Sequence, residues 1–288
     1  LTMPILVLNV DAQQMPMLAA SSAEVELFSR HQLAHWLSVK RNEVLKVHLK
    51  INTGMNRLGF KPEALPGLLK ELAAYASVEV VGVFSHLAAA DDPSNDSFTK
   101  QQLAVFEEVS AQVKAQYPAA ISHILNTHGI HRFRGTQKDM VRLGIGLYGA
   151  GTYQGIEPLE EVISWKCKVS QITHIEKDDF VGYGLAFKAE RNMTYATLPV
   201  GYADGLTRSL SNGNGRVYIN GEACPILGRV CMDMCMVDVS GLQVQAGDEV
   251  ELLGHNQSAS DLAAAAGTIS YEVLTGIGSR IPRLYLKD

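Results

Sequence analysis

Val78-Glu-Val-Val-Gly-Val-Phe84, followed by Ser85-His86, is the stretch on which the fold turns. It is a short run of mostly β-branched and aromatic residues with a single charge. That pattern predicts a strand covered on both faces, as in a parallel sheet. It then stops abruptly on polar residues. Its neighbours on either side suit that reading. Upstream, a strand-like run at 45–52 is followed by a helical stretch at 62–75. Downstream, a helical stretch at 97–116 leads to a strand-like run at 121–126. Further out, runs at 4–9, 25–28 and 140–147 complete six expected strands. Strands alternating with helices predict an α/β domain with a parallel sheet.

The rhythm changes near Gly151. Runs at 165–175, 195–200, 215–219, 231–239 and 249–253 follow one another with turns between them. Asn212-Gly-Asn-Gly215 is a turn signal, and Asn220-Gly221 marks a tight hairpin. A mainly antiparallel β domain is expected, with one helical piece at 260–266. The division is placed at residues 1–155 and 156–288.

In the first half the strand ends share a feature. His48-Leu-Lys-Ile-Asn52, Val83-Phe-Ser-His86, Ile124-Leu-Asn-Thr127 and Val141-Arg142 each pass from apolar to polar. In a (β/α)8 barrel the carboxyl ends of the strands form the active-site mouth. Lys50, His86, Asn126, Thr127 and Arg142 would converge there, with Arg57 close by. Barrels bind phosphate at the loops after their last strands. Thr127 offers a hydroxyl there, and the backbone of Gly144–Gly146 lets an anion approach. Two cations at one mouth call for an anion. An ordinary reading stands beside each residue. Lys50 can reach solvent, His86 can be hydrogen-bonded structure, Thr127 can cap a helix, and Arg142 can serve a structural ion pair.

Composition narrows the class. The 288 residues are 47% hydrophobic and 19% charged, with net charge −5 and no long basic run. Nucleic acid and anionic membranes are therefore not expected partners. The apolar opening at 4–10 is too short to span a bilayer and has no basic segment before it. The four cysteines, Cys167, Cys224, Cys231 and Cys235, show no CxxC spacing. Reduced thiols in a cytoplasmic protein are expected, without a metal site.

These segments together resemble the alanine racemase family. The resemblance is carried by His48-Leu-Lys-Ile-Asn-Thr-Gly-Met-Asn-Arg-Leu-Gly59, Ser85-His-Leu-Ala88, Asn126-Thr127 and Val141-Arg-Leu-Gly-Ile-Gly-Leu-Tyr-Gly149. It continues in Val181-Gly-Tyr-Gly184, Leu198-Pro-Val-Gly-Tyr-Ala-Asp-Gly205, Gly228-Arg-Val-Cys-Met-Asp233 and Thr268-Ile-Ser-Tyr-Glu-Val273. The resemblance implies a (β/α)8 TIM-type barrel followed by a β domain. It also implies a homodimer whose sites combine one subunit's barrel with the other's β domain. The implied cofactor is pyridoxal 5′-phosphate, and the implied reaction interconverts L- and D-alanine for peptidoglycan.

The resemblance also implies roles. Tyr183 matches the catalytic tyrosine, with His86 and Arg142 in the network that stabilises its phenolate. Arg142 would face the cofactor's ring nitrogen, and an arginine there does not give up a proton. Arg57 would lie near the substrate carboxylate, and Lys50 matches a lysine carbamylated in many relatives. Asn126, Thr127, Gly144, Ile145 and Tyr271 match cofactor-binding positions. Met232 matches the residue whose N–H receives the substrate carboxylate, with Asp233 beside it. Tyr202 and Tyr271 match a pair that narrows the entrance.

The family's cofactor lysine lies in a motif resembling Lys-Ala-Asn-Ala-Tyr-Gly-His-Gly, which has no counterpart here. The run at 4–9 resembles the family's third strand. The expectation is therefore barrel strands three to eight, with the first two and their lysine missing and the chain inactive without them. Thr127-His128 also departs from the family's usual pair, and His128 has no assigned role. Two other readings remain. One is a racemase of broader specificity, acting on serine or lysine. The other is a non-catalytic cofactor-binding protein.

Overall fold

The computed structural model describes residues 3–39, 42–151 and 159–286. The chain divides into two compact units, Leu1–Gly144 and Ile145–Asp288. The boundary expected at 155/156 lies outside the described residues.

The first unit is a five-stranded parallel sheet. Its strands are β1 (Leu6–Val7), β2 (Glu24–Leu27), β3 (Leu45–Lys50), β4 (Val78–Phe84) and β5 (Ile121–His123), in sequential order across the sheet. Its helices are α1 (Met15–Ala20), α2 (Arg30–Ser38), α3 (Leu65–Leu72), α4 (Asp96–Gln116) and α5 (Thr127–Arg132). Two of the helices start at side-chain caps. Ser29 accepts from Gln32 N to cap α2, and Asn126 accepts from Gly129 N to cap α5. Helix α3 buries Leu65, Leu68, Leu69 and Leu72, an i, i+3, i+4, i+7 stripe. Each such leucine contributes roughly 1.5–3 kcal/mol relative to exposure.

Six strands of an eight-stranded barrel were expected here. The described residues form five, which gives no basis for numbering them three to eight with two missing. The segment 140–147 is not a strand. Met140 N donates to Ser122 O and Arg142 N to Leu125 O. The donor chain advances two residues while the acceptor chain advances three, so no regular ladder forms. A short 3₁₀ turn at Ile145–Tyr148 follows.

The second unit is an antiparallel sheet of seven strands plus a small hairpin. Its strands are β6 (Trp165–Lys168), β7 (Gln171–Ile175), β8 (Phe180–Val181), β9 (Phe187–Lys188), β10 (Met193–Leu198), β11 (Arg216–Ile219), β12 (Glu222–Leu227), β13 (Cys235–Asp238) and β14 (Glu249–Leu253). The sheet order is β6-β14-β11-β12-β13-β10-β7, and β8 pairs with β9. The run at 165–175, read as one strand, is two. β6 pairs with β14 and β7 with β10, at opposite ends of the sheet order. A bend at Val169–Ser170 lets one segment satisfy both edges, which would otherwise be exposed. The Asn220-Gly221 turn joins β11 to β12 with both residues at positive φ, as the sequence predicts. Helix α6 (Ala259–Ala266) carries a capping box from Ser258 and Asp261, and α7 (Ser270–Gly276) follows.

Candidate active site

In the first unit the site begins with a register shift. Val78 and Val80 of β4 lie opposite Leu45 and Val47 of β3. One residue later the pairing slips, and Gly82 and Phe84 lie opposite His48 and Lys50. The irregularity re-aims the end of β4. Leu45, Val47, Leu49 and Val83 stay in the apolar core. The alternate positions put Glu24 and Glu26 of β2, His48 and Lys50 of β3, Phe84 of β4 and His123 of β5 on one face. Gly82 is required by this arrangement. A Cβ there would come within 2.2 Å of His48 Nδ1.

The polar groups on this face are buried and joined. Arg142 Nη1 lies 2.5 Å from His123 Nδ1, His123 Nε2 lies 3.0 Å from His48 Nδ1, and His48 Nε2 lies 2.8 Å from Glu24 Oε2. A guanidinium only donates, so His123 Nδ1 accepts and its proton is on Nε2. That proton is donated to His48 Nδ1, whose Nε2–H is then donated to the Glu24 carboxylate. One tautomer of each ring satisfies the whole chain. Both rings are neutral. Burial is the main cause that pushes His123 down to about 2, and burial also lowers His48 against the pull of Glu24.

Arg142 is anchored by its second arm as well. Nη2 donates to Ser85 O at 2.7 Å and Ile124 O at 3.2 Å, and lies 3.3 Å from His86 Nδ1. These acceptors follow β4 and β5, so the guanidinium ties the two strand ends together. Burial lowers Arg142 to about 10, against the opposing Glu26 carboxylate. His86 falls to about 4, first through burial and then through Arg142, Lys50 and Arg57. Its loop is held by the buried Gln102 of α4, which donates to His86 O and accepts from Ala88 N.

Lys50 Nζ lies 3.9 Å from Glu26 Oε1 and 4.3 Å from the centre of the Phe84 ring. Burial lowers it to about 8, with Arg142 and Arg57 adding repulsion and Glu26 opposing it. Arg57 is exposed on a loop whose neck is closed by Phe60 N to Lys50 O and Asn52 N to Phe60 O. At the end of β5, Asn126 caps α5, a role the sequence reading gave as an alternative for Thr127. Thr127 is buried, and its hydroxyl accepts from Gly144 N at 3.0 Å. His128 is half-buried and also lowered by burial.

In the second unit, Tyr183 stands on the turn between β8 and β9 and is 73% exposed. Gly182 and Gly184 on either side have φ of 77° and 68°, a conformation that side chains disfavour. A Cβ on Gly184 would also meet Arg229 Nη1 at 2.8 Å. A cavity of about 860 Å³ is lined by Tyr183, Tyr202, Arg208, Arg229, Met232 and Asp233, among others. Tyr202 and Met232 are linked through the backbone, with Tyr202 N donating to Cys231 O and Ala203 N to Met232 O. Asp233 is ion-paired with Arg280. Ile145 is buried in this unit's core, and Tyr271 is exposed on α7.

The sequence-predicted residues thus separate into two groups. Lys50, His86, Arg142, Asn126, Thr127 and Gly144 gather at the strand ends of the first unit, with Arg57 repelling Lys50 and His86. Tyr183, Tyr202, Met232 and Asp233 line one cavity of the second. Sequence reasoning missed His48, His123, Glu24, Glu26, Gln102, Arg229 and Arg280. The signal for three of them was present. Glu24 with Glu26, and His48 with Lys50, are i, i+2 pairs of polar residues inside apolar strands, which strand geometry puts on one face. Among the described residues, no cluster of three or more His, Cys, Asp or Glu is placed to hold a metal. No described helix is long and apolar enough to cross a membrane.

Comparison with known proteins agrees with this division. The alanine racemase N-terminal domain model matches residues 1–152, and the alanine racemase C-terminal domain model matches residues 162–285. Since the first match begins at residue 1, the expectation of a missing lysine-bearing segment, and of an inactive fragment, gains no support from it. The alanine racemase of Clostridium tetani is 37% identical over 264 residues, covering 88% of this chain and 68% of the relative. That of Symbiobacterium thermophilum is 41% identical over 249 residues, covering 83% and 66%. The chain therefore spans about two thirds of the length of these relatives. Among solved structures, alanine racemase from Bacillus anthracis with bound L-Ala-P superposes with a TM-score of 0.91 at 30% identity, over 100% of this chain and 77% of that one. Alanine racemase from Bartonella henselae with covalently bound pyridoxal phosphate gives 0.87 at 34%, over 98% and 79%.

Proposed function

Because the chain belongs to the alanine racemase family, we propose that it interconverts L- and D-alanine with pyridoxal 5′-phosphate as cofactor, supplying D-alanine for peptidoglycan. The observation that carries this reading is the surplus of positive charge at the strand ends. Arg142 and the exposed Arg57 both repel Lys50 there, and the carboxylate opposing Lys50 and Arg142 is Glu26. Two largely buried cations facing one carboxylate require a further anion. A group bearing a phosphate and a phenolate oxygen fits that donor set, with the Thr127 hydroxyl, which accepts from Gly144 N, beside it.

Bound there, pyridoxal phosphate supplies an electron sink that acidifies the substrate's α-carbon. The chain's own residues do the rest. Arg142, held by acceptors on His123, Ser85, His86 and Ile124, would present its cation to the ring nitrogen and so keep that nitrogen unprotonated. Neutral His86 accepts from Arg142 at Nδ1, so its proton is on Nε2, available to a phenolate oxygen. Lys50, lowered to about 8, holds more neutral amine near pH 7 than a surface lysine and is therefore suited to carbamylation. A carbamate there would turn a cation into an anion that orients Arg57 towards the substrate carboxylate. In the first unit, Asn126, Thr127 and Gly144 would hold the cofactor's phosphate.

Tyr183 exchanges the α-proton at its hydroxyl oxygen. With Met232 and Tyr202 it is supplied by the second subunit of a homodimer in the cytoplasm. The Met232 N–H donates to no acceptor among the described residues, which suits it to a carboxylate. The test is to load the protein with pyridoxal phosphate and follow L-alanine by chiral chromatography beside L-serine and L-lysine. Preferential formation of D-alanine is expected. Equal turnover of all three would favour the broader racemase. Cofactor retention without turnover would favour the non-catalytic reading. Borohydride reduction and peptide mapping of the same sample identifies the lysine that carries the cofactor.

A further inference from the structure

Three segments of the second unit meet at one side chain. The loop at 201–205 is closed by Asp204, whose Oδ2 accepts from Gly201 N at 2.8 Å. The turn at 231–234 is closed by Cys231 N donating to Met234 O at 2.9 Å, with Met232 and Asp233 at its tip. The tail at 277–283 lies against the first loop, where Gly278 N donates to Asp204 O. Arg280, on that tail, donates from Nε to Asp204 Oδ1 at 2.6 Å and from Nη2 to Asp233 Oδ1 at 2.5 Å. The Asp204 side chain is 4% exposed, so it needs a cation. The Asp233 side chain is 52% exposed. A guanidinium fork can serve both at once, and an ammonium cannot hold the same two directions.

We propose that Arg280 is a positioning residue that clamps the Tyr202 loop to the Met232 turn and so sets the Met232 N–H for the substrate carboxylate. The inference rests on the racemase reading for its substrate. It gives a role to Asp233, which the resemblance set beside Met232 at the substrate carboxylate. The Asp233 carboxylate is committed to Arg280 and acts through the turn. An anionic side chain pointed at a substrate carboxylate would repel it, whereas one neutralised by Arg280 does not.

The test uses the full chain loaded with cofactor, as wild type, Arg280→Met, Arg280→Lys, Asp233→Asn and the Arg280→Met/Asp233→Asn double variant. Arg280→Met is expected to raise KM for alanine about tenfold with kcat changed less than about threefold, the pattern of lost ground-state positioning. Arg280→Lys, keeping the charge and one partner, recovers part of the loss. Asp233→Asn keeps the buried Asp204 pair and is the variant least at risk of misfolding. It raises KM in the same direction. In the double variant the two effects do not add, since both remove one contact. Amide hydrogen exchange over 199–206 and 229–236, read by mass spectrometry, speeds up in Arg280→Met and in Asp233→Asn.

Unchanged exchange in these segments would overturn the clamp, as would additive effects on KM. A wild-type protein that does not racemise alanine refutes the racemase reading instead. In that case hydrogen exchange alone decides the clamp.

Discussion

The two units use the same polar residue types under opposite conditions. In the first unit, Glu24, Glu26, His48, Lys50, His123 and Arg142 line the face of a parallel sheet, and most are buried. The protons of the His123–His48–Glu24 chain have assigned places, and burial pulls Lys50, His123 and Arg142 far from their ordinary ranges. In the second unit, Tyr183, Tyr202, Met232 and Asp233 stand on exposed turns. Their positions come from backbone bonds, glycine turns and the Arg280 pairs. One region stores its order in the core and the other carries reactive groups on a frame. Substitutions in the first should therefore cost stability, and substitutions in the second should cost function with the fold intact.

The sharpest separation is expected from Tyr183→Phe. Loss of a positioned proton-transfer group lowers racemisation by roughly a thousandfold. Urea unfolding of the same variant should superimpose on wild type, because the side chain is exposed. A stability loss comparable with that of a core variant would break the comparison. Next is Gly82→Val, which drives a side chain into the buried His48 ring. Overpacking of this kind should cost about 3 kcal/mol, read from the urea midpoint at unchanged slope. A neutral result would mean that β4 relaxes without disturbing the histidine chain.

His123→Leu removes the middle of the relay and leaves a donor on Arg142 and an acceptor, Nδ1, on His48 unpaired. A loss of about 2 kcal/mol is expected. The pH dependence follows from the same group of residues. His86, His48 and His123 have folded-state values below their ordinary value near 6.5, so the unfolded chain binds more protons in acid. Their contribution is complete above about pH 6.5 and is lost as pH falls, through about 4 for His86. The His123→Leu variant should show a flatter loss of urea midpoint between pH 6.5 and 4.5. The smallest effect is expected at Lys166, whose pair with Glu249 is half-exposed on the second sheet. Lys166→Met should leave the urea midpoint indistinguishable from wild type.

The sequence was most informative where local chemistry decides structure. β4 matches its expected range, the Asn220-Gly221 turn forms as written, and α6 starts at a capping box one residue before the expected helix. Lys50, His86, Thr127 and Arg142 were recognisable because polar residues end apolar strands. The strand expected at 140–147 failed because its bonds to β5 slip register, a tertiary event with no local mark. The run at 165–175 is strand-like throughout, and only the closing of sheet edges bends it. Gly82 looked like a flaw in an apolar run. Its purpose is visible only with the pairing that brings His48 opposite. Arg280 was invisible because its two partners lie 47 and 76 residues away in sequence.

The central claim is that the cationic cluster around Arg142 holds the anionic cofactor. The most direct measurement is equilibrium binding of pyridoxal 5′-phosphate to wild type and to Arg142→Met, followed by absorbance at matched pH and ionic strength. Binding at least about tenfold weaker is expected in the variant, since a largely buried cation facing the ligand is removed. Equal affinity in the two proteins would contradict it.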